Sequence, residues 1–337
     1  MAPVEKRSRE NEAATPASPQ TLSVPPELAG TRLDRALAEL FPQYSRARLQ
    51  RWLRDGLISV DGRRPRPRDK VQGGERVTLV AAQPTPQTEW RAETFALDIV
   101  YEDADIIVIN KPPGLVVHPG AGNLTGTLVN GLLGYAPELA ALPRAGVVHR
   151  LDKDTSGLLV VARSLRAHHS LVKQLASRRM GREYEALVTG VMTAGGEIAA
   201  PIGRHPVHRT RMATVDEGRE AITHYRVVER FRAHTWIRIR LETGRTHQIR
   251  VHMAHIHHPV VGDPTYGGRL RIPQGCTDAL REALRGFKRQ ALHAARLSLI
   301  HPATQEHREW IAPMPPDMAA LIAVMRADRE AAPVIFM

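Results

Sequence analysis

The spacing of apolar positions along this chain changes period several times, and each change marks an element. From Thr31 onward, Leu33, Ala36, Leu37, Leu40 and Phe41 keep helical spacing until Pro42 stops the run. Ser45 as N-cap and Gly56 just past the end frame a second helix. Its Leu49, Trp52 and Leu53 share one arc, while Arg46, Arg48, Arg51 and Arg54 occupy most of the opposite side. Ile58 and Val60 lead into an Asp61-Gly62 turn, and 76–80 reads as a strand. Farther along, 99–101 and 106–109 read as strands around an acidic turn, and 127–133 as a helix. An amphipathic helix is predicted over 165–179 with Leu171, Val172 and Leu175 inward, and strands over 182–188, 235–241 and 296–300. Thr246 is placed to cap a helix carrying His247, Ile249, Met253 and Ile256, and a last helix is expected over 317–328. Strands fall in hairpins more than in βαβ units, so the expected class is α+β with a largely antiparallel mixed sheet.

The rest of the chain is organised around 147–163, VVHRLDKDTSGLLVVAR. Two β-branched apolar runs, Val147-Val148 and 158–161, flank a polar loop, which predicts strand, loop, strand with charged groups at the end of a buried sheet. Carboxylates beside fixed cations on such a loop are candidates for chemistry, and a solvated turn closed by a structural salt bridge is the alternative. Aperiodic stretches divide the chain. Residues 1–25 read as a disordered tail, 30–80 as a small domain, 81–92 as a proline-containing linker and 93–330 as a second domain. The basic stretch 195–219 is turn-rich and offers Arg204, Arg209 and Arg211 to phosphates.

Charge sharpens this division. Lys and Arg outnumber Asp and Glu by 47 to 35 in the 337 residues, and twelve against six of these fall in 31–80. Half of the excess therefore sits in one small module, on a helix face and on Arg63 and Arg64 of the following hairpin. A surface of this kind suits a polyanion, and an ordinary solvated arginine-rich face is the competing reading. No apolar run approaches the roughly 18 residues needed to span a bilayer, and the first twenty residues contain no apolar h-region of a secretory signal. A single cysteine, Cys276, allows no internal disulfide. A cytoplasmic, monomeric protein is expected.

Five segments in order, NKPPGLVVHPG, HRLDKDTSG, REYEALVTG, LETGRTHQIRVH and RQALHAARLSLIHP, resemble the successive motifs of the RluA-type RNA pseudouridine synthases, over about 101–301. Residues 31–80 resemble the S4 RNA-binding domain, which narrows the likeness to members acting on large-subunit ribosomal RNA. The resemblance implies a synthase domain with a central mixed sheet and a cleft across its middle. It makes Asp152 the catalytic carboxylate, has Arg150 fill the gap left by an extruded nucleotide, has Tyr184 stack on the uracil, and pairs Arg245 with Asp152. Arg182 stands where relatives often carry Lys, and the two cations differ in shape and donor geometry. RNA contacts are expected from Arg150 and Arg182, and from Arg46, Arg48, Arg51, Arg54, Arg63 and Arg64 of the small domain.

The chemistry itself asks for little. Moving the ribose bond from N1 to C5 of uracil involves no net redox change, so no cofactor and no metal are expected. An ionised carboxylate must lie near the ribose or uracil C6, and other groups must hold the detached base. Whether the carboxylate attacks covalently or takes a sugar proton is open at this level. Histidines 252, 255, 257 and 258 with Asp263 suggest a metal site, but no Cys partner or HExxH glutamate accompanies them, and packing or RNA contact is the favoured reading. Gly120-Ala121-Gly122 lacks the Lys and hydroxyl residue of a P-loop. Asp154 could serve a paired-acid glycosidase, against which the RNA-directed charge weighs. Three readings stand: a uridine isomerase acting on ribosomal RNA, a non-catalytic ribosomal RNA-binding or assembly factor, and a metal-dependent RNA hydrolase.

Overall fold

In a computed structural model of the chain, the residues described are 19–41, 44, 46–80, 90–120 and 122–331, with the side chains of 47 and 48 excepted. The expected Ser45 cap, the phosphate contact from Arg48, residues 1–18 of the tail and 81–89 of the linker lie outside them. The chain divides into two compact units, Met1–Glu89 and Trp90–Met337.

In the first unit, strand β1 (Gln20–Ser23), helices α1 (Leu33–Leu40) and α2 (Arg46–Arg54) and strands β2 (Ile58–Val60) and β3 (Arg76–Leu79) enclose one core. The three strands are antiparallel in the order β1-β3-β2. Residues 20–23 were expected in a disordered tail and instead form the outer strand, all four exposed. Their backbone satisfies the free edge of β3, and Val24 behind them is buried. Four residues with a single large apolar side chain carry too little periodicity to announce a strand. Leu33, Leu37, Leu49, Trp52 and Leu53 are all buried, so the dry arcs of both helices meet as their spacing requires. Asp61 and Gly62 both take positive φ (47° and 73°), the geometry of a tight hairpin turn.

One predicted RNA contact has an internal partner. Arg46 on α2 donates to the Asp34 carboxylate at 2.8 Å, and that buried carboxylate also accepts from Arg32 and Gln50. These bonds hold Asp34 far below the usual carboxylate range, Arg32 first, against the opposing effect of burial. Arg46 therefore ties α2 to α1. Arg51, Arg63 and Arg64 are exposed, and Arg54 is exposed with one bond to the Gln50 carbonyl.

The second unit is built on a nine-stranded mixed sheet. Its strands are β4 (Ile99–Glu102), β5 (Ile106–Lys111), β6 (Ser156–Ala162), β7 (Gly181–Thr189), β8 (Gly196–Ala199), β11 (Ile222–Arg230), β12 (His234–Leu241), β13 (Leu292–Ile300) and β14 (His307–Ile311). A small hairpin, β9 (Ile202–Arg204) with β10 (Met212–Thr214), stands apart from it. Helices α3 (Leu128–Tyr135), α4 (Leu165–Ala176), α5 (Gln248–His255), α6 (Asp278–Gly286) and α7 (Pro316–Glu330) complete the unit. The order across the sheet is β4-β5-β6-β13-β7-β12-β11-β8, with β14 on the far half of β13. Every pairing is antiparallel except β6 with β13.

Strands β5 and β6 read as continuous apolar runs because both their faces are covered. Ile107, Ile109, Leu159 and Val161 pack toward α3, while Ile106, Val108, Leu158 and Val160 pack with Ala167 and Leu171 of α4. The central loop therefore enters the sheet where it is most deeply buried. Gly157 takes a φ of 110° there, and a Cβ on it would stand 2.2 Å from the Ala294 carbonyl oxygen. Only glycine lets β13 approach β6 this closely.

Several expectations change. The Val147-Val148 strand reduces to one bridge between Val147 and Val161, because the Val160 N–H that could extend it donates to His149 Nε2. Val172 points outward, at 43 % exposure, while Leu171 is buried. Thr246 is not the cap of α5: His247 precedes the helix in left-handed conformation (φ 57°), and the Gln248 side chain reaches back to accept from the Arg245 N–H. The turn-rich segment 195–219 contains β8, β9 and β10, and β11 and α6 lie where no element was expected.

Candidate active site

A cleft of about 610 Å³ opens along the middle of this sheet, lined by the 147–152 segment, by Arg182 and Tyr184 of β7, and by 241–250 leading into α5. Asp152, Arg150, Tyr184, Arg182 and Arg245, named from sequence as site residues, all line it.

Asp152 sits near the start of the loop, its side chain 17 % exposed, and four tethers fix the loop residues beyond it. The Lys111 ammonium at the end of β5 is fully buried and donates to the carbonyls of Pro112, Leu115 and Lys153 at 2.7, 2.9 and 2.9 Å. All three of its protons are thereby used. Burial draws the pKa of Lys111 down to about 7, against the opposing pull of Asp154 and Asp152. Arg289 donates to the Asp154 carbonyl while Asp317 of α7 grips its other edge at 2.7 Å twice. Gln290 bonds Thr155, and His293 bonds Ser156. Side chains from β5 and from the approach to β13 thus hold the reactive loop by its backbone and its two hydroxyls.

The guanidinium paired with Asp152 is Arg250, not Arg245. Arg250 Nη1 lies 3.0 Å from Asp152 Oδ2, and its Nε and Nη2 clamp both oxygens of Asp263 at 2.6 and 2.8 Å. Asp263 is fully buried as a side chain and also accepts the N–H groups of Thr265 and Tyr266. Burial raises its pKa, but the Arg250 bonds outweigh this and bring it below the ordinary value. Arg245 instead donates to the Glu220 carbonyl. The expectation failed because both arginines belong to one motif, and the left-handed His247 between them turns the first toward β11 and the second into the core. A buried Asp263 thirteen residues beyond Arg250 was the available signal, since a buried arginine needs a bidentate acid. With one guanidinium between two carboxylates, the trio carries a formal charge of −1.

The other Asp152 oxygen, Oδ1, faces His247 Nε2 at 3.8 Å, and the Nδ1 of that ring bonds the Tyr266 hydroxyl at 2.8 Å. Tyr184 is 6 % exposed on β7, and its hydroxyl has no hydrogen-bond partner among the described residues. Burial raises its pKa, and Asp152 adds to that against Arg182. The phenol is therefore neutral and able to donate.

The cations of the cleft fall into two classes. Arg178, Arg245 and Arg250 direct their donors inside the chain, Arg178 to Glu220 and Glu242 at 2.8 and 2.9 Å. The side chains of Arg144, Arg150 and Arg182 have no hydrogen bond or ion pair among the described residues, although Arg182 is only 8 % exposed and its Nε is buried unpaired. A buried, unpartnered guanidinium needs an anion from outside. Three of the four histidines suspected of metal binding are engaged otherwise: His252 with Thr223 and the Ala200 carbonyl, His255 with Thr214, His258 with the Thr189 carbonyl.

His149 pins the loop by accepting the Val160 N–H at 3.2 Å, which requires a neutral imidazole. Burial, reinforced by Arg182, pulls its pKa down to about 3, and burial likewise takes His118 to about 4. Both folded values lie below the unfolded value of about 6.5, so the unfolded chain binds more protons in between. Stability should be full above about pH 6.5 and fall as the pH drops toward 3. Thermal midpoints measured from pH 7 to pH 4 should decline less steeply in His149→Gln than in the wild type; parallel curves would remove His149 from this account.

Comparison with known proteins fits this geometry. The family model described as RNA pseudouridylate synthase matches residues 105–255, and the S4 domain model matches 31–77. A Pseudomonas aeruginosa protein named ribosomal large subunit pseudouridine synthase D is 58 % identical over 308 residues, covering 91 % of this chain and 96 % of that protein. A protein of the same name from Escherichia coli is 56 % identical over 311 residues, covering 92 % and 95 %. The solved structure of human RNA pseudouridylate synthase domain containing 4 is 26 % identical with a TM-score of 0.54, over 68 % of this chain and 92 % of that one.

Proposed function

This chain belongs to the RNA pseudouridylate synthase family, and we propose that it converts uridines of large-subunit ribosomal RNA to pseudouridine in the cytoplasm, with Asp152 as the reacting carboxylate. The observation that carries the reading is the Asp152–Arg250–Asp263 trio in a cleft with three unpartnered arginines. Asp263 occupies two edges of Arg250, so Arg250 steadies Asp152 without cancelling its charge. Among the described residues Oδ1 accepts no hydrogen bond on the cleft side.

In the reaction, the bond from ribose C1′ to N1 breaks and one to C5 forms, C5 gives up its proton and N1 gains one. The residues of this chain hold and orient. A uridine in a stem must first leave its stack, which costs a few kcal/mol, and stacking on an aromatic ring offsets about 1–3 kcal/mol of this. Tyr184 supplies that ring beside Asp152. Arg182 neutralises phosphate at the floor of the cleft, and Arg150, exposed at the loop, is positioned to enter the vacated stack.

Names of the relatives support ribosomal RNA as the substrate, and the matched S4 region supports a docking role for Arg51, Arg54, Arg63 and Arg64. The test is incubation with ribosomal RNA in EDTA, followed by carbodiimide-stop mapping of pseudouridine. New stops support the isomerase. Their absence with RNA still bound favours a docking factor, and strand cleavage abolished by EDTA favours a hydrolase. Tyr184→Phe keeps the ring and should retain kcat/KM within about tenfold, whereas Tyr184→Ala should lose about a hundredfold. Equal losses in the two would assign the role to the hydroxyl.

A further inference from the structure

The segment before the central loop carries two non-glycine residues in left-handed conformation, one after the other. Arg144 has φ 53° and ψ 35°, Ala145 φ 50° and ψ 41°, and Gly146 comes next at φ 77°. Gly146 is required, since a Cβ there would stand 2.0 Å from the Ala162 carbonyl oxygen. Arg144 is not required by the turn. A left-handed L-residue costs roughly 1–2 kcal/mol, and Gly or Asn takes the conformation more readily. The Arg144 carbonyl accepts the Val147 N–H at 3.1 Å, but its side chain makes no bond that would require arginine there: it is exposed, lines the cleft and has no partner among the described residues. Strain kept at a cleft by a residue whose side chain bonds nothing among the described residues points to a role for that side chain outside the chain.

We propose that Arg144 forms a phosphate subsite at the rim of the cleft, taking a phosphodiester of the RNA strand adjacent to the extruded uridine, and that the left-handed turn exists to present it. Arg150 is the other exposed arginine of the cleft whose side chain has no partner among the described residues, and His118 lines the same cleft. His118 stays neutral, its pKa lowered by burial and then by the fields of Arg144 and Arg150, so the ring adds no third charge beside the two cations. No carboxylate among the described residues is bonded to either guanidinium, unlike Arg178, whose two glutamates already balance it. Arg144 is a positioning residue: it fixes where the strand lies, and Asp152 and Tyr184 act on the base.

This inference rests on the proposed RNA substrate, and its test reads binding apart from turnover. Arg144→Asn keeps a residue that tolerates the left-handed turn and removes the charge, and Arg144→Lys keeps the charge on an equally strained residue. Affinity for transcribed large-subunit ribosomal RNA is measured across a salt series, with steady-state pseudouridine formation alongside. The Asn variant should lose about one unit of the salt slope and raise KM about tenfold with kcat unchanged, because one phosphate is no longer neutralised. The Lys variant should keep most of both. A wild-type slope and KM in Arg144→Asn overturns the subsite, as does a Lys variant that loses as much as Asn, since the turn rather than the charge would then matter. A wild-type protein that forms no pseudouridine counts against the substrate reading, and the binding slope still decides the subsite.

Discussion

Asp152→Asn should reduce pseudouridine formation by roughly a thousandfold or more, while affinity for ribosomal RNA stays within about threefold and the fold is as stable as before or more so. The substitution is nearly isosteric, and an amide oxygen can still accept from Arg250 Nη1. The trio formally at −1 becomes neutral, with Arg250 matched to Asp263 alone. The phosphate-facing arginines are untouched. Activity and stability should therefore move in opposite directions, as expected where a charge is kept for chemistry against the preference of the fold. Single-turnover assays with melting curves on the same preparation measure both. Turnover within tenfold of the wild type would remove Asp152 from the chemistry, and a large loss of stability would mean that the carboxylate is there to hold Arg250.

The range over which a feature is decided separates the parts that were legible in the sequence from the parts that were not. The buried strands β5 and β6, the helices α1 and α2 and the position of the reactive loop are set by local periodicity, and they appear where predicted within a few residues. Residues 20–23 become a strand only because β3 offers a free edge, which no local pattern reports. Strand β11 went unrecognised because its one fully buried position is the polar Thr223 and from Tyr225 on its residues alternate between half-buried and exposed, leaving little apolar contrast. The cleft residues were found through motifs, but their pairing was not. Arg245 and Arg250 are equivalent in composition, and only the left-handed turn at His247 and the buried acid at Asp263 separate them. Lys111 carried no sequence signal beyond its motif, because its partners are backbone carbonyls.

That separation gives the second large effect. Arg250→Met should lower stability by about 3–5 kcal/mol, the cost of leaving a buried carboxylate unpaired, which for a domain of this size is a fall of roughly 10 °C in Tm. Asp263 is fully buried and loses both its guanidinium bonds, and Asp152 loses the one hydrogen bond its side chain makes among the described residues. Turnover should vanish with it. Arg245→Met gives up a single bond to the Glu220 carbonyl at the cleft edge and should cost less than about 1 kcal/mol. Arg250→Lys keeps a charge but cannot span two edges of Asp263 and reach Asp152 at once, so it should recover part of the stability and little of the rate. The decisive variant is the double one, Arg250→Met with Asp263→Asn. Removing both buried charges leaves no carboxylate unpaired at position 263, and the amide oxygen still accepts the Thr265 and Tyr266 N–H groups, so the double variant should melt well above Arg250→Met while staying inactive. If it regains turnover, Asp152 needs no guanidinium beside it; if Arg245→Met is the variant that melts early, the pairing belongs to Arg245 after all.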